Sequence, residues 1–163
     1  IEANEDHKVV IFTCYLGMLP LIQEALAAKK IVSTLYSGLL NAKEKEESKT
    51  SFQTSKEVRV LISSDAGGYG VDLPQANLLV NLDLPWSSGT AIQRNSRIRR
   101  ASSAWSHVVI QDFLVLNSIE ERQHQMLMQK NAVADAVMDG TGINKKGGVD
   151  LTVGSLLAFL KGE

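Results

Sequence analysis

The sequence is poor in several features that define whole classes of protein. It has one cysteine in 163 residues, which excludes an internal disulfide framework and predicts a reducing, intracellular compartment. No apolar run approaches the roughly 20 residues of a membrane span, so no membrane partner is expected. The three histidines lack metal-ligand spacing, which predicts no metal site. A net charge of −1 argues against a protein that coats nucleic acid through charge alone.

Two signatures of a complete nucleotide-hydrolysing site are also missing. There is no Gly-x-x-x-x-Gly-Lys-Ser/Thr loop to surround a nucleotide's phosphates, and no Asp-Glu pair follows a strand where Mg²⁺ would be held. The sequence therefore predicts that this chain alone hydrolyses nucleoside triphosphates negligibly.

The pattern of apolar residues predicts alternating strands and helices. With 44% hydrophobic and 21% charged residues, the composition is that of a globular domain. Short apolar runs predict strands at 9–12, 31–36, 58–62, 78–82 and 107–115. Helices are predicted at 17–28, 41–52, 91–100 and 118–138, the second capped by Asn41 with Glu44. This alternation predicts an α/β fold: a three-layer domain with a central parallel sheet flanked by helices.

The same pattern gives a domain organisation. Residues 1–7 are interpreted as a tail from an upstream linker, and residues 8–140 as one α/β domain. The glycine- and lysine-rich region of 141–163 is predicted to be a mobile loop and a short C-terminal helix.

A glycine-rich stretch, residues 63–73, follows the third predicted strand. Its glycines are Gly67, Gly68 and Gly70. Glycine permits positive φ and a close approach of backbone amides to phosphate. Ser63 and Ser64 add hydroxyl groups, and the Asp72 carboxylate suits a ribose hydroxyl. The alternative is a tight turn after a strand, without a ligand.

An arginine segment, residues 93–100, carries four arginines. On a helix, Arg97 and Arg100 share a face and converge on one anion, with Gln93 on nearly the same side. Guanidinium groups match phosphate oxygens in shape and charge. Arg94 and Arg99 are assigned to a solvated basic face or to nucleic-acid contact, and a solvated face is the alternative for the whole cluster.

These two stretches resemble motifs of a known family. Residues 63–73 resemble motif V of the second RecA-like lobe of superfamily-two helicases, in particular the Swi/Snf-type DNA translocases, which reads roughly Ser-Thr-x-Ala-Gly-Gly-x-Gly-Ile-Asn-Leu. Gln93, Arg97 and Arg100 match their motif VI, Gln-x-x-x-Arg-x-x-Arg. Asp83 and Trp86 match the Asp-x-x-Trp between them. The resemblance covers residues 8–140.

The resemblance implies an ATP-dependent enzyme with the nucleotide between two lobes. ATP and Mg²⁺ would be held mainly by an N-terminal RecA-like lobe, which is the first partner. DNA, double-stranded, would be the second partner, in preference to RNA. The implied roles are catalytic for Arg97 and Arg100, nucleotide-binding for Gln93, Asp72 and Gly70, and nucleic-acid-binding for Ser63, Ser64, Gly67 and Gly68.

The sequence also permits other interpretations. The run Asp72-Leu73-Pro74 is closer to the Leu-Asp-Ile-Pro of DEAD-box RNA helicases, which favours an RNA helicase lobe. A non-catalytic nucleic-acid- or protein-binding module on the same fold is a further alternative, and an unrelated nucleotide-binding α/β domain is another. Retention of the glutamine and both arginines at their spacing favours the enzyme.

Overall fold

The computed structural model describes residues 7–65, 70–99 and 101–138, with the backbone alone for residues 129–138. These ranges contain five strands and four helices. In chain order they are β1 (Val9–Thr13), α1 (Met18–Ala28), β2 (Val32–Tyr36), α2 (Ala42–Thr54), β3 (Val58–Ser64), β4 (Leu78–Asn81), α3 (Ser88–Ser96), β5 (Val109–Asp112) and α4 (Ile119–Met138). The tail predicted at residues 1–7 lies outside the described residues, except for His7. The mobile loop and C-terminal helix predicted at 141–163 also lie outside them.

The chain divides into two compact units. The first runs to Pro85 and resumes over Gly89–Phe113, so it contains all five strands. The second combines Trp86–Ser88 with the residues from Leu114 onward, including α4. At the start of α4, the carboxylate of Glu121 accepts a hydrogen bond from the Asn117 amide at 3.1 Å, consistent with a preference for acidic side chains at a helix N-terminus.

The five strands form one parallel sheet in the order β2-β3-β1-β4-β5. Val9 pairs with Val60 on one side and with Leu78 on the other, which places β1 at the centre. All the carboxyl ends lie at one edge. The connection leaving β1 runs towards β2, whereas the connection leaving β4 runs towards β5. Ligands of open parallel sheets bind beyond such a reversal in strand order.

Side chains alternate between the two faces of the sheet, as expected for a buried strand. On β1, Val9 and Ile11 pack with the α1 residues Leu19 and Leu26. Val10 and Phe12 point to the opposite face. There they belong to the cluster that includes Phe52 of α2, Leu61, Leu79 and Ile98. Helices therefore cover both faces of the sheet, and the predicted fold class is confirmed.

Two predicted elements are longer than the structure shows. The fifth strand is limited to Val109–Asp112, and α3 ends at Ser96, so Arg97 lies in a turn. In that turn the Arg97 amide donates to the Arg94 carbonyl at 3.1 Å, and the Arg97 carbonyl accepts from the Leu73 amide at 3.0 Å. The predicted helix therefore stops short of Arg97, because a tertiary backbone bond replaces the next helical one.

Lys8 attaches the end of α2 to the sheet. Its ammonium donates to the carbonyls of Phe52 and Ser55, the latter at 2.7 Å, and lies 5.0 Å from the centre of the Phe52 ring. Burial lowers the pKa of Lys8. A cation at a helix C-terminus satisfies carbonyls that the helix leaves unpaired.

Replacing Lys8 with methionine is expected to lower the free energy of unfolding by about 2 kcal/mol, because hydrogen bonds from a charged donor to partly buried carbonyls are lost. Urea denaturation followed by circular dichroism measures this change. Lys43→Met is the matched control. It removes a cation that lies on α2 itself, in an exposed pair with Glu47, and is expected to change the free energy of unfolding by less than about 0.5 kcal/mol. Equal losses in the two variants would contradict the role given to Lys8.

Among the described residues, no helix combines the length and the apolar character needed to cross a lipid bilayer.

Candidate functional site

A cluster of polar side chains lies at the carboxyl edge of the sheet. It is named here the edge cluster and consists of Thr13, Cys14, Asp65, Asn81, Asp83 and Arg94. The first five residues lie at or just after the ends of β1, β3 and β4, which are neighbours in the sheet. Arg94 comes from α3, which follows β4 in the chain. Residues far apart in sequence therefore meet where a parallel sheet binds its ligands.

Arg94 is the centre of the edge cluster and is 2% exposed. Its Nε and one terminal nitrogen donate to the two Asp65 carboxylate oxygens at 2.6 and 3.1 Å. The other terminal nitrogen donates to the Asp83 carbonyl at 2.7 Å and to the Asn81 Oδ1 at 3.2 Å. The assignment of Arg94 to a solvated face or to nucleic acid is therefore wrong. It is buried because acidic and amide groups converge on it from the ends of two strands.

The charge of Arg94 is balanced from several sides. Burial alone would lower the pKa of Arg94, but the hydrogen bond and charge of Asp65, with smaller electrostatic contributions from Cys14 and Asp83, raise it above its ordinary value. The guanidinium also lies 5.5 Å from the centre of the Phe12 ring. A guanidinium is the cation best suited to such a site, since it satisfies several acceptors at once in one plane.

Asp83 attaches this arrangement to β1. One carboxylate oxygen accepts from the Cys14 amide at 2.7 Å, and the other accepts from the Thr13 hydroxyl. Asp83 is 6% exposed and lies 3.4 Å from an Arg94 nitrogen. The residue that the family resemblance singles out at the start of Asp-x-x-Trp therefore has a structural role here, joining β1 to the segment after β4.

The Cys14 thiol lies within the edge cluster. Its sulfur is 3.1 Å from an Arg94 nitrogen and 3.4 Å from an Asp65 oxygen. Cys14 is exposed as a residue, but partial burial of its thiol, followed by a hydrogen bond to Asp83, raises the pKa of the thiol to about 12, although the Arg94 charge opposes the shift. The thiol is therefore protonated at neutral pH and is a poor nucleophile.

Alkylation of Cys14 by iodoacetamide at pH 8 is expected to be slower in the folded protein than in urea by roughly two orders of magnitude or more, because only the thiolate reacts. Mass spectrometry against time gives both rates. The unfolded thiol ionises from near pH 9 and the folded one only towards pH 12. This group therefore lowers the free energy of unfolding as pH rises through that window. Equal alkylation rates in the two states would contradict a raised pKa.

The glycine-rich stretch begins with two buried hydroxyl groups. Ser63 and Ser64 are 0% and 2% exposed. The Ser63 hydroxyl donates to the Ser64 carbonyl at 3.1 Å, and the Ser64 hydroxyl accepts from the Gly38 amide at 3.4 Å. In this arrangement both hydroxyls face the protein interior. Gly67 and Gly68 lie outside the described residues.

The end of the glycine-rich stretch is exposed. Gly70 has φ of +77°, the conformation that the sequence predicts for a glycine here, and a Cβ would meet nothing within 4 Å. Backbone conformation rather than space therefore favours glycine at this position. Asp72 is also exposed, and its carbonyl accepts from the Gln53 side chain at 3.2 Å.

The structure brings the glycine-rich stretch and the arginine segment together at two points. Asp65 is bound by Arg94 through side chains, and Leu73 is bound by Arg97 through the backbone. Gln93 is exposed and Arg97 is partly exposed. Arg100 lies outside the described residues. Exposed carboxylate, amide and guanidinium groups therefore belong to two stretches that are joined to each other.

A family match and similar proteins agree with this arrangement. The model of the family described as helicase conserved C-terminal domain matches residues 1–102. The chromatin-remodeling ATPase INO80 of Lodderomyces elongisporus is 31% identical over 138 residues, which is 84% of this chain but only 9% of that protein. This chain thus spans a small part of the relatives it matches.

Solved structures show the same fold. The C-terminal part of the Fun30 ATPase domain is similar with a TM-score of 0.71 and 25% identity, over 77% of this chain and 40% of that one. The SWI2/SNF2 ATPase core of Sulfolobus solfataricus, solved in complex with double-stranded DNA, is similar with a TM-score of 0.64 and 24% identity. That similarity covers 84% of this chain and 29% of the archaeal one.

Proposed function

This chain belongs to the family of helicase conserved C-terminal domains, and from that premise we propose that it is the C-terminal lobe of an ATP-dependent DNA translocase of the Swi/Snf type. The observation that carries the proposal is the bond between the Leu73 amide and the Arg97 carbonyl, which joins the glycine-rich stretch to the arginine segment. A nucleotide bound at the arginine segment and a nucleic-acid strand bound at the glycine-rich stretch would therefore contact two segments whose backbones are hydrogen-bonded to each other.

The exposed polar groups on this lobe suit the γ-phosphate and the ribose of ATP. The partly exposed Arg97 offers a guanidinium for the γ-phosphate, and Asp72 offers a carboxylate for a ribose hydroxyl. Gln93 adds an exposed amide. The described residues contain no group of three or more His, Cys, Asp or Glu side chains able to hold a metal ion. We therefore assign Mg²⁺ and most phosphate contacts to an N-terminal lobe.

In the proposed reaction, this lobe supplies a positive charge to the transferred phosphoryl group and orients the nucleotide. The Arg97 guanidinium stabilises negative charge that develops on the oxygens of the transferred phosphoryl group, the role of an arginine finger. Asp72 orients the nucleotide by accepting a hydrogen bond from its sugar. The role of Arg100 rests on its match to the motif Gln-x-x-x-Arg-x-x-Arg. Mg²⁺, when bound, neutralises charge on the phosphate chain.

The nucleic-acid contact is proposed for the backbone amides of the glycine-rich stretch. Because Ser63 and Ser64 are buried, their hydroxyls enter the proposal only as groups that position this backbone. Gly67 and Gly68 are the residues whose amides we assign to a phosphodiester strand. Double-stranded DNA is the favoured polymer, since the similar Sulfolobus solfataricus core was solved with it.

The test joins this chain to an N-terminal lobe that carries a phosphate-binding loop. ATP hydrolysis is then measured with duplex DNA, single-stranded DNA, RNA and no polymer. We expect negligible turnover for this chain alone and the largest stimulation of the two-lobe protein by duplex DNA. Stimulation by RNA alone would favour a lobe of the RNA helicase type. Absence of stimulation by any polymer would favour a non-catalytic binding module.

A further inference from the structure

The two ends of the glycine-rich stretch are held by residues three positions apart in the arginine segment. Asp65 accepts two hydrogen bonds from the Arg94 guanidinium, and the Leu73 amide donates to the Arg97 carbonyl. Arg94 and Arg97 are themselves joined, since the Arg97 amide donates to the Arg94 carbonyl at 3.1 Å. The end of α3 and the turn after it therefore bind the stretch near its beginning, at Asp65, and at its end, at Leu73.

We propose that the Asp65–Arg94 ion pair is a positioning device that transmits nucleic-acid binding at the glycine-rich stretch to Arg97, and so sets how strongly nucleic acid stimulates ATP hydrolysis. The proposal rests on the function proposed above and extends it to two residues with no assigned role in it. Both occupy positions that the motif patterns leave variable.

The two partners differ in how firmly they are held. Arg94 is 2% exposed and is fixed by the Asp83 carbonyl and the Asn81 side chain as well as by Asp65. The Asp65 side chain is 26% exposed. Asp65 is thus the side of the pair that a ligand on the glycine-rich stretch reaches, and Arg94 is the anchored side. A two-point carboxylate–guanidinium contact also fixes the direction of Asp65, which a single hydrogen bond would not do.

The connection to Arg97 is short. Loss of the Asp65 contact removes two of the hydrogen bonds that orient Arg94, whose carbonyl accepts the Arg97 amide. The other end of the stretch, Leu73, is bonded to the Arg97 carbonyl. The position of the Arg97 backbone therefore depends on both ends of the stretch. Catalysis by a positioned charge is sensitive to displacements of about 1 Å.

The test is Asp65→Asn in the two-lobe protein, which keeps the shape of the side chain and removes its charge. We expect DNA-stimulated turnover to fall about tenfold, while turnover without DNA and the KM for ATP stay within about twofold. Arg94→Lys keeps a buried cation but loses the two-point contact, and we expect the same loss of stimulation. Glu47→Gln is the control, because it removes an equal charge from the exposed face of α2.

The double variant and the unstimulated rate separate positioning from folding. If the pair acts as a unit, Asp65→Asn combined with Arg94→Lys loses no more stimulation than either change alone. A purely structural role would lower both rates by one factor and leave their ratio intact, which would overturn the inference. If Asp65→Asn does not fold, Asp65→Glu is read by the same ratio. A wild-type protein without DNA stimulation would instead refute the proposed function.

Discussion

Replacing Arg97 with alanine is expected to reduce DNA-stimulated ATP turnover of the two-lobe protein roughly a thousandfold, with little change in the KM for ATP. The reason is that the guanidinium acts on charge that is largest in the transition state, so its loss lowers kcat rather than ground-state binding. Arg97 is partly exposed and its side chain is separate from the buried Arg94 network, so the variant is expected to fold. Steady-state hydrolysis with saturating duplex DNA measures the effect.

Two further variants define what the Arg97 result means. Arg97→Lys keeps the charge but not the planar fork, and an intermediate loss is expected from it. Lys49→Ala removes a cation from a surface pair with Glu46 and is expected to leave turnover unchanged. Normal turnover by the Arg97 alanine variant would show that this residue is not an arginine finger and would leave only its backbone role at Leu73.

Replacing Arg94 with methionine is expected to lower the free energy of unfolding by about 3–5 kcal/mol. Methionine fills much of the space, but it leaves the Asp83 carboxylate, which is 6% exposed, without its compensating cation. The Asn81 Oδ1 and the Asp83 carbonyl lose their hydrogen bonds from the guanidinium as well. Urea denaturation followed by tryptophan fluorescence and circular dichroism gives the free energy. A loss of this size is a large share of the stability of an ordinary domain.

The matched comparison for Arg94 is the double variant Arg94→Met with Asp65→Asn. It removes both charges of the more exposed ion pair, and is expected to recover part of the stability lost by Arg94→Met alone, because one unpaired carboxylate is gone. A loss below about 1 kcal/mol for the single variant would mean that the carboxylates find solvent, and would contradict the burial described for the edge cluster.

The positions of the strands are predicted well from the sequence, because each buried strand is a short run of apolar residues that are adjacent in the chain. Apolar runs locate four of the strands to within two residues, and the Asn41–Glu44 capping box is present as predicted. The fifth strand is the exception, since the apolar residues of 107–115 continue past the last paired position at Asp112. Apolar character alone does not show where the pairing of an edge strand stops.

The failures in the arginine segment have a different origin. No residue within five positions of Arg94 predicts its burial. Its partners Asp65 and Asp83 are distant in sequence and follow β3 and β4, whereas Arg94 lies on α3. The sequence does contain an indication of this burial. Asp65 and Asp83 follow two strands whose carboxyl ends lie at the same edge of the sheet, where acidic groups attract a cation. The end of α3 at Ser96 is likewise set from a distance, by the bond between Arg97 and Leu73. Tertiary contacts of this kind override helical spacing.

The family of this chain is established, whereas the roles of individual site residues are not tested. The predicted resemblance is confirmed, since the family model matches residues 1–102 and the similar proteins include Swi2/Snf2-type ATPases. The individual roles of Arg97, Asp72, Gln93 and Gly70 stay predictions. Burial of Ser63 and Ser64 narrows the nucleic-acid contact to the glycine backbone within our proposal.

The strand order also constrains how the chain acquires its shape during synthesis. A nascent chain that ends at residue 54 contains β1 and β2, yet β3 lies between them in the finished sheet and has not been made. The first two strands therefore have no native neighbour until residues 58–64 leave the ribosome. Late pairing of this kind leaves apolar strand edges exposed while translation proceeds. A pause placed before β3 is thus expected to expose this chain to chaperones longer than a pause after it.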